Sequence, residues 1–267
     1  MALALVMAGC SSSSGGASGS GGATGSGGAS GSAGCSGDGC GSGDCLTPVS
    51  DFESGGDVAA GFTNTQVQRG SVEVDADPVE PTNHVARMTA GEKVGDQVGK
   101  ADLIVAYPAI GAGHRVVASG RFFFPADSSL DSLILMDIEC ASCGLDTNPG
   151  IRLYLRDGAL RVDRSKIGLT DAFLPTSPTL VTTGTWHSLV WQVTLGIGDA
   201  GRSDVYLDGV QVMSATGTTL ISQAIIDQVA PGITVKERAD RLQIGLTANS
   251  NPTSQTLFLD DVAMCVD

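Results

Sequence analysis

Aromatic and basic residues are scarce in this chain. Its 267 residues include 2 Trp, 3 Tyr and 7 Phe, and 15 Lys and Arg stand against 29 Asp and Glu, for a formal net charge of -14. Nucleic acids and anionic lipid surfaces are bound through basic patches, so this balance argues against both as partners. The shortage of Trp and Tyr also leaves few side chains on which a sugar ring can stack.

The sequence also lacks the short motifs of several enzyme classes. Serine-hydrolase, phosphate-loop and dinucleotide signatures are absent, and no helix pattern follows Gly111-Ala112-Gly113. Only three histidines are present. We interpret His187 as a packing residue because it lies in a predicted strand, and nothing in the sequence fixes a partner for His114.

No apolar stretch is long enough to span a bilayer of about 30 Å. The N-terminus MALALVMAGC is a short apolar run, and Met7-Ala8-Gly9-Cys10 resembles a bacterial lipobox. The resemblance implies a signal peptide over residues 1–10 and a lipid on Cys10. With Ser11 next, it also implies an exported lipoprotein of the outer membrane or cell surface. No Lys or Arg precedes the run, which leaves an atypical signal or an upstream start as alternatives.

Residues 11–45 are almost wholly Gly, Ser, Ala and Thr. Such a segment buries too little apolar surface to offset the entropy lost on ordering, so we predict a flexible linker. About 34 residues of this type span roughly 30–35 Å. Residues 46–267 remain, which is a usual size for one β-sandwich domain.

Period-two alternation is the strongest structural signal. In Trp186 to Leu195, every second residue from Leu189 is apolar and the positions between are mostly polar. Asp157-Gly158 and Asp208-Gly209 separate short alternating runs, which predicts two hairpins with type I′ turns. Many short strands with frequent turns indicate an all-β fold, and one short helix is predicted near Ser222 to Val229.

Four short motifs carry a resemblance to a known superfamily. They are Asp51-Phe52-Glu53, Thr185-Trp186-His187, Val205-Tyr206-Leu207-Asp208-Gly209 and Leu257-Phe258-Leu259-Asp260-Asp261-Val262. Together they resemble the concanavalin A-like lectin/glucanase superfamily, in its laminin-G-like and polysaccharide-binding members. The resemblance implies a jelly-roll β-sandwich over residues 46–267. It does not specify a function.

Six cysteines remain if Cys10 is lipidated, and an even number in an exported chain suggests disulfides. Fifteen connectivities are possible. We predict Cys140 with Cys143 as a local clip, Cys45 with Cys265 at the two ends of the domain, and Cys35 with Cys40 in the linker. A four-thiolate zinc site is disfavoured because only one pair has CxxC spacing.

A structural calcium ion is one predicted ligand. Ca²⁺ prefers carboxylate and carbonyl oxygens. If the first and last strands are neighbours, Glu53 and Asp261, or Asp260, lie close enough to share an ion. Members of the resembled superfamily often hold calcium at that position.

A second candidate site lies on the strand Leu133 to Cys140. Alternation places Ile134, Met136, Ile138 and Cys140 toward the core, so Asp137 and Glu139 project from the other face about 6–7 Å apart. Arg152 and Tyr154 face them from the next strand. Three interpretations stay open: cross-strand ion pairs on a solvated face, a sugar-binding face, and paired carboxylates for glycoside cleavage. Leu135 stands where glucanase relatives carry a Glu nucleophile.

The sequence therefore predicts a surface lipoprotein whose jelly-roll domain binds an extracellular polysaccharide or a surface protein without cleaving it. Calcium is the one cofactor expected, and the lipid anchor is the only expected contact with the membrane. Two alternatives remain: a polysaccharide lyase or glycoside hydrolase of the same fold, and a purely structural or adhesive module.

Overall fold

The computed structural model describes residues 45–145 and 147–267. The predicted lipidation site Cys10, the linker and the Cys35–Cys40 pair lie outside these ranges. Within these ranges, fourteen strands and one α-helix follow each other. They are β1 (Thr47–Ser50), β2 (Asn64–Gln68), β3 (Gly70–Ala76), β4 (His84–Ala90), β5 (Gly99–Ile110), β6 (Arg115–Phe123), β7 (Leu133–Glu139), β8 (Gly150–Arg156), β9 (Ala159–Asp163), β10 (Trp186–Thr194), β11 (Arg202–Leu207), β12 (Val210–Thr216), α1 (Gln223–Val229), β13 (Ala239–Asn249) and β14 (Gln255–Val266).

Two antiparallel sheets form a sandwich, which confirms the predicted all-β class. Sheet A has the order β12-β11-β10-β6-β14-β4-β3, with β1 paired to β14, and sheet B has the order β2-β5-β13-β7-β8-β9. The first and last strands are neighbours, as expected. Within the described residues, no helix is long and apolar enough to cross a membrane.

The space between the sheets is filled by one continuous apolar core. Leu189, Trp191 and Val193 of β10 point into it, as their alternation predicts. Trp191 is fully buried, and its Nε1 donates a hydrogen bond to Ser203 Oγ at 2.9 Å. A second, small cluster of Val117, Val190 and Tyr206 lies beside the Cys45–Cys265 disulfide.

Both predicted tight turns are present. Asp157 and Gly158 have φ of 52° and 75°, and Asp208 and Gly209 have φ of 52° and 78°. Positive φ at both central residues is the signature of a type I′ turn, whose twist matches that of the flanking strands. These turns close the β8–β9 and β11–β12 hairpins of sheets B and A.

His187 has the packing role that the sequence suggested. Its Nδ1 lies 2.8 Å from Asp208 Oδ2, and its Nε2 accepts the backbone N–H of Thr182 at 3.0 Å. The side chain therefore ties the 182 loop to the β11–β12 turn. With Nε2 already accepting a hydrogen bond, the ring has no free lone pair for proton abstraction.

Two details differ from the sequence prediction. The run Val67 to Asp75 alone predicts one continuous strand, but the chain changes sheets within it, from β2 to β3. Arg69, at φ 54°, makes the corner. Gly70 is needed there because a Cβ atom would lie 1.9 Å from the carbonyl oxygen of Thr89.

The second difference is in β7. Its pairing with β8 is irregular between Ile134 and Met136, so the alternation changes phase at that point. Leu133 and Leu135 belong to the core together with Met136, whereas Ile134 does not. The bulge leaves Asp137 and Glu139 on the side of sheet B that faces away from the core.

Candidate functional site

The outer face of sheet B carries the predicted ligand residues. Strand pairing places Asp137 directly opposite Arg152 on one side and Gln243 on the other. Arg152 is opposite Asp163 in turn, so one row of polar side chains crosses β9, β8, β7 and β13. We call this surface the B face. Its charged members are Lys100, Asp102, Asp137, Glu139, Arg152, Arg156, Arg161, Asp163, Lys166 and Arg241.

The B face is locally positive in an acidic protein. It holds six of the 15 Lys and Arg residues of the chain against four carboxylates, although the chain as a whole has a net charge of -14. Tyr154 lies in the same surface, opposite Arg161 on β9. Charge concentrated in this way attracts anions to this surface rather than to the rest of the protein.

The carboxylates and the cations occupy different depths. Asp137 is 3% exposed, Glu139 2% and Asp102 0%. The cations beside them are less buried: Arg152 and Lys166 keep 23% and 26% of their side chains exposed. The B face therefore has an acidic floor, made of Asp102, Asp137 and Glu139, beneath a more accessible layer of guanidinium and ammonium groups.

Two ion pairs lie on the B face, and the one made by Glu139 joins the cations to the floor. Lys166, from a 3-10 helix after β9, pairs with Glu139, and Arg152 pairs with Asp163. Arg152 also donates to Ser165 Oγ at 2.9 Å. Arg152 and Asp163 thus form a cross-strand ion pair, whereas the buried Glu139 pairs with a residue outside the strands.

Many polar atoms of the B face have no partner. Across the described residues, nine buried side-chain nitrogen and oxygen atoms lack a hydrogen bond, and seven of them belong to this face. Buried polar groups in proteins are nearly always hydrogen-bonded to protein or to water, so a cluster of exceptions is a place where water or a ligand can bind. The seven atoms are both Asp102 oxygens, Asp137 Oδ1, Glu139 Oε2, Gln243 Oε1, Arg152 Nε and Arg161 Nε.

Burial changes the acidity of the floor. It raises the pKa of Asp102 to about 8, and the nearby charges of Asp137 and Glu139 act in the same direction, against Lys100 and Arg241. Burial also raises the pKa of Asp137, against the opposing effects of Lys166 and Arg152. Asp102 is therefore largely protonated at neutral pH.

The positions of Asp137 and Glu139 are poorly suited to direct attack on a glycosidic bond. A nucleophile and a general acid must both reach the bond that breaks. Asp137 and Glu139 are almost fully buried, and Glu139 is paired with Lys166.

Asp102, Gln243 and Lys166 are members of the face that sequence reasoning missed. Asp102 and Gln243 do carry a signal, because each alternates with apolar neighbours in a strand. The sequence does not show that β13 lies between β5 and β7, since these pairings join distant segments. Lys166 comes from outside the strands and has no such signal.

The predicted calcium residues lie near one another, with a cation among them. Arg121 Nη1 is 3.6 Å from Asp260 Oδ2 and 3.6 Å from Asp261 Oδ2. Glu53 accepts the backbone N–H of His84 at 3.1 Å. Over the part of the chain that the structure describes, no group of three or more His, Cys, Asp or Glu residues is arranged to hold a metal ion. The guanidinium of Arg121 already supplies positive charge there, so calcium stays a prediction from the sequence.

Two of the predicted disulfides are present, Cys45–Cys265 and Cys140–Cys143. The first joins the two ends of the described chain. The second closes a short loop directly after β7, where Asp240 accepts N–H groups from Ala141 and Ser142. The loop thus fixes the end of the strand that carries Asp137 and Glu139.

Comparison with known proteins identifies the fold. No protein-family model and no curated protein sequence matches the chain. Among solved structures, an endo-β-1,4-glucuronan lyase from the fungus Trichoderma reesei is similar, with a TM-score of 0.56 and 16% identity over 77% of this chain and 91% of that one. A cellulose-induced protein is also similar, with a TM-score of 0.52 and 15% identity over 80% of this chain and 95% of that one. At these identities the likeness is one of fold, and the chain has the concanavalin A-like jelly-roll sandwich.

Proposed function

We propose that the B face binds an extracellular polysaccharide that carries acidic groups, and that the protein does not cleave it. The observation that carries this proposal is the cluster of seven buried polar atoms without partners on one face. Sugars offer hydroxyl donors and acceptors, and an acidic sugar also offers a carboxylate to Arg or Lys. A purely structural face is expected to pair its own buried polar groups.

Arg152 and Tyr154 are the proposed contact residues, and Asp137 and Glu139 support them from below. Tyr154 is half-buried, and no described residue forms a hydrogen bond with its hydroxyl. A phenol in that setting offers a ring face and a polar tip to a sugar. The similarity to a protein named as a glucuronan lyase is consistent with a polysaccharide as partner.

Binding to acidic and neutral polysaccharides, measured by affinity electrophoresis, tests the proposal. We expect retardation by an acidic polysaccharide, and we expect Tyr154→Ala to weaken it about 3- to 10-fold. Phe258→Ala is the matched control because Phe258 is a half-buried aromatic residue of sheet A. Equal losses in both variants, or no retardation by any polysaccharide, would contradict a site on the B face.

A lyase is the second candidate, on a separate observation. Tyr154 stands opposite Arg161, whose Nε is also without a partner, so a phenol and a guanidinium face the same space. Proton abstraction beside a neutralised carboxylate needs groups of these two kinds. Release of unsaturated uronate that Tyr154→Phe or Glu139→Gln abolishes would favour this enzyme over a binding module.

We also propose that Cys10 carries a lipid and that the domain is held at the outer membrane or cell surface. The support is the sequence Met7-Ala8-Gly9-Cys10 and the Gly/Ser-rich segment after it. Cys10→Ser is expected to move the protein from the membrane fraction to the soluble fraction. An unchanged distribution would contradict the anchor.

Calcium at Glu53 and Asp261 is proposed on the superfamily resemblance alone. If it is correct, adding a chelator lowers the melting temperature and adding back Ca²⁺ restores it. A melting temperature that does not respond to either treatment would contradict the calcium site.

A further inference from the structure

Asp102 is the most deeply buried carboxyl group of the B face. It lies on β5, two strands away from Asp137, with Gln66 of β2 on one side and β13 on the other. It is 0% exposed, and neither of its oxygens has a hydrogen-bond partner. No ion pair, cap or turn within the described residues explains why this carboxyl group is present.

The charged groups around Asp102 come from several elements. Lys100 lies on its own strand and reaches Gln66 at 3.4 Å, while Arg241 extends from β13. Asp137 and Glu139 of β7 add negative charge. Neighbouring β2 contributes uncharged residues, NTQVQ. An ionised Asp102 therefore attracts two cations of the accessible layer and repels a negative ligand.

We propose that Asp102 is a positioning residue for Lys100 and Arg241, and that its charge sets how strongly the B face binds an acidic polysaccharide. The inference rests on the proposed function, to which it adds a dependence of polysaccharide binding on the charge of Asp102. With Asp102 neutral, the two cations are free to engage the ligand. With Asp102 ionised, they are drawn to the floor and the local charge falls by one.

Asp102 is expected to change its charge in a pH range where few other groups of the B face titrate. Burial raises the pKa of Asp102 to about 8, whereas sugar carboxylates are ionised well below this pH. Asp163, which is paired with Arg152, has a lowered pKa and stays ionised. Asp137, with a raised pKa, is the other group of the floor whose charge changes on acidification.

Affinity for an acidic polymer such as polygalacturonate, measured between pH 6.5 and 9 at constant ionic strength, tests the inference. We expect the affinity of the wild-type protein to fall about tenfold over this range, because one unit charge is added close to the ligand. Asp102→Asn keeps the shape of the side chain without its charge. The affinity of this variant for the polymer is expected to change less than twofold between pH 6.5 and 9.

Asp163→Asn is the matched control, since it also removes one carboxylate from the B face. Because Asp163 is ionised over the whole range, this variant is expected to keep the tenfold dependence on pH. Arg241→Gln provides a second test if Asp102→Asn folds poorly, and it is expected to reduce the dependence. Affinity of the wild-type protein that is constant with pH, or an equal dependence in Asp102→Asn, would overturn the role of Asp102. Absence of binding at every pH would overturn the proposed function as well.

Discussion

Three buried carboxyl groups of the B face lower the stability of the fold. Asp102 has no partner for either oxygen, and Asp137 and Glu139 each leave one oxygen unpaired. A buried donor or acceptor without a partner costs about 1–3 kcal/mol. A cost of this kind is common where a protein binds a ligand.

The stability of the protein should therefore depend on Asp102 and on pH. The pKa of Asp102 is about 8 in the folded protein against an ordinary value of 3.8. A group with a raised folded pKa contributes stability that is present below the unfolded pKa and is lost as the pH rises through the folded one. Asp102→Asn removes this loss. We expect the variant to gain about 2–4 kcal/mol relative to wild type between pH 6 and pH 9.

Urea unfolding at both pH values measures this difference. Parallel changes of the unfolding free energy with pH in the two proteins would show that Asp102 does not carry the effect. Asp163→Asn serves again as a control, because its lowered pKa gives no contribution between pH 6 and pH 9.

At the scale of elements, two tight hairpins organise the sheets. The β11–β12 turn is fixed further by Asp208, which accepts the backbone N–H of Ser188 at 2.8 Å and contacts His187. Turn, loop and strand β10 are thereby joined. The hairpin belongs to the scaffold on sheet A, whereas the proposed site is on sheet B.

Gly209→Ala tests the turn geometry. Gly209 has φ of 78° with no atom within 4 Å of a Cβ position, so the cost is conformational rather than steric. An L residue at positive φ costs roughly 1–2 kcal/mol. Chemical unfolding should show that loss of stability, and Gly56→Ala, outside the left-handed region and with its nearest atom 4.0 Å from the Cβ position, should show little. Equal effects at the two positions would contradict the type I′ assignment.

The sequence predicts structural features that depend on neighbouring residues better than features that depend on contacts between distant segments. Alternation and Asp-Gly turns are local, and they predicted β10 and both hairpins. Position 69 shows where local pattern fails: both strands beside it are alternating, and only the left-handed corner at Arg69 sends them to different sheets. Asp102 and Lys166 were missed for a related reason, since their place on the B face depends on strand pairing and on a turn outside the strands.

At the scale of the molecule, the two disulfides should contribute very differently. Cys45–Cys265 closes a loop with a sequence separation of 220, and Cys140–Cys143 one of 3. In the chain-entropy model the longer loop stabilises more, with typical losses of about 2–5 kcal/mol when such a bond is removed. We expect Cys45→Ser with Cys265→Ser to lower the melting temperature more than Cys140→Ser with Cys143→Ser. The reverse order would show that the local clip carries more of the stability.

The two sheets carry different features of the molecule. Sheet A pairs the chain ends through β1 and β14 and carries the disulfide between them. Sheet B holds the positive B face in a protein of net charge -14. Under the proposed function, an acidic polymer is repelled by most of the surface and attracted to this one region, so charge would select both the ligand and the place where it binds.

The location of the bound polysaccharide tests this account most directly. Titration of the labelled protein with an acidic oligosaccharide, followed by amide chemical shifts, maps the site residue by residue. The account predicts that the shifts concentrate on β8, β9 and β13, around Arg152, Tyr154 and Arg241. Shifts concentrated on the outer side of sheet A, or none with any acidic oligosaccharide, would contradict it.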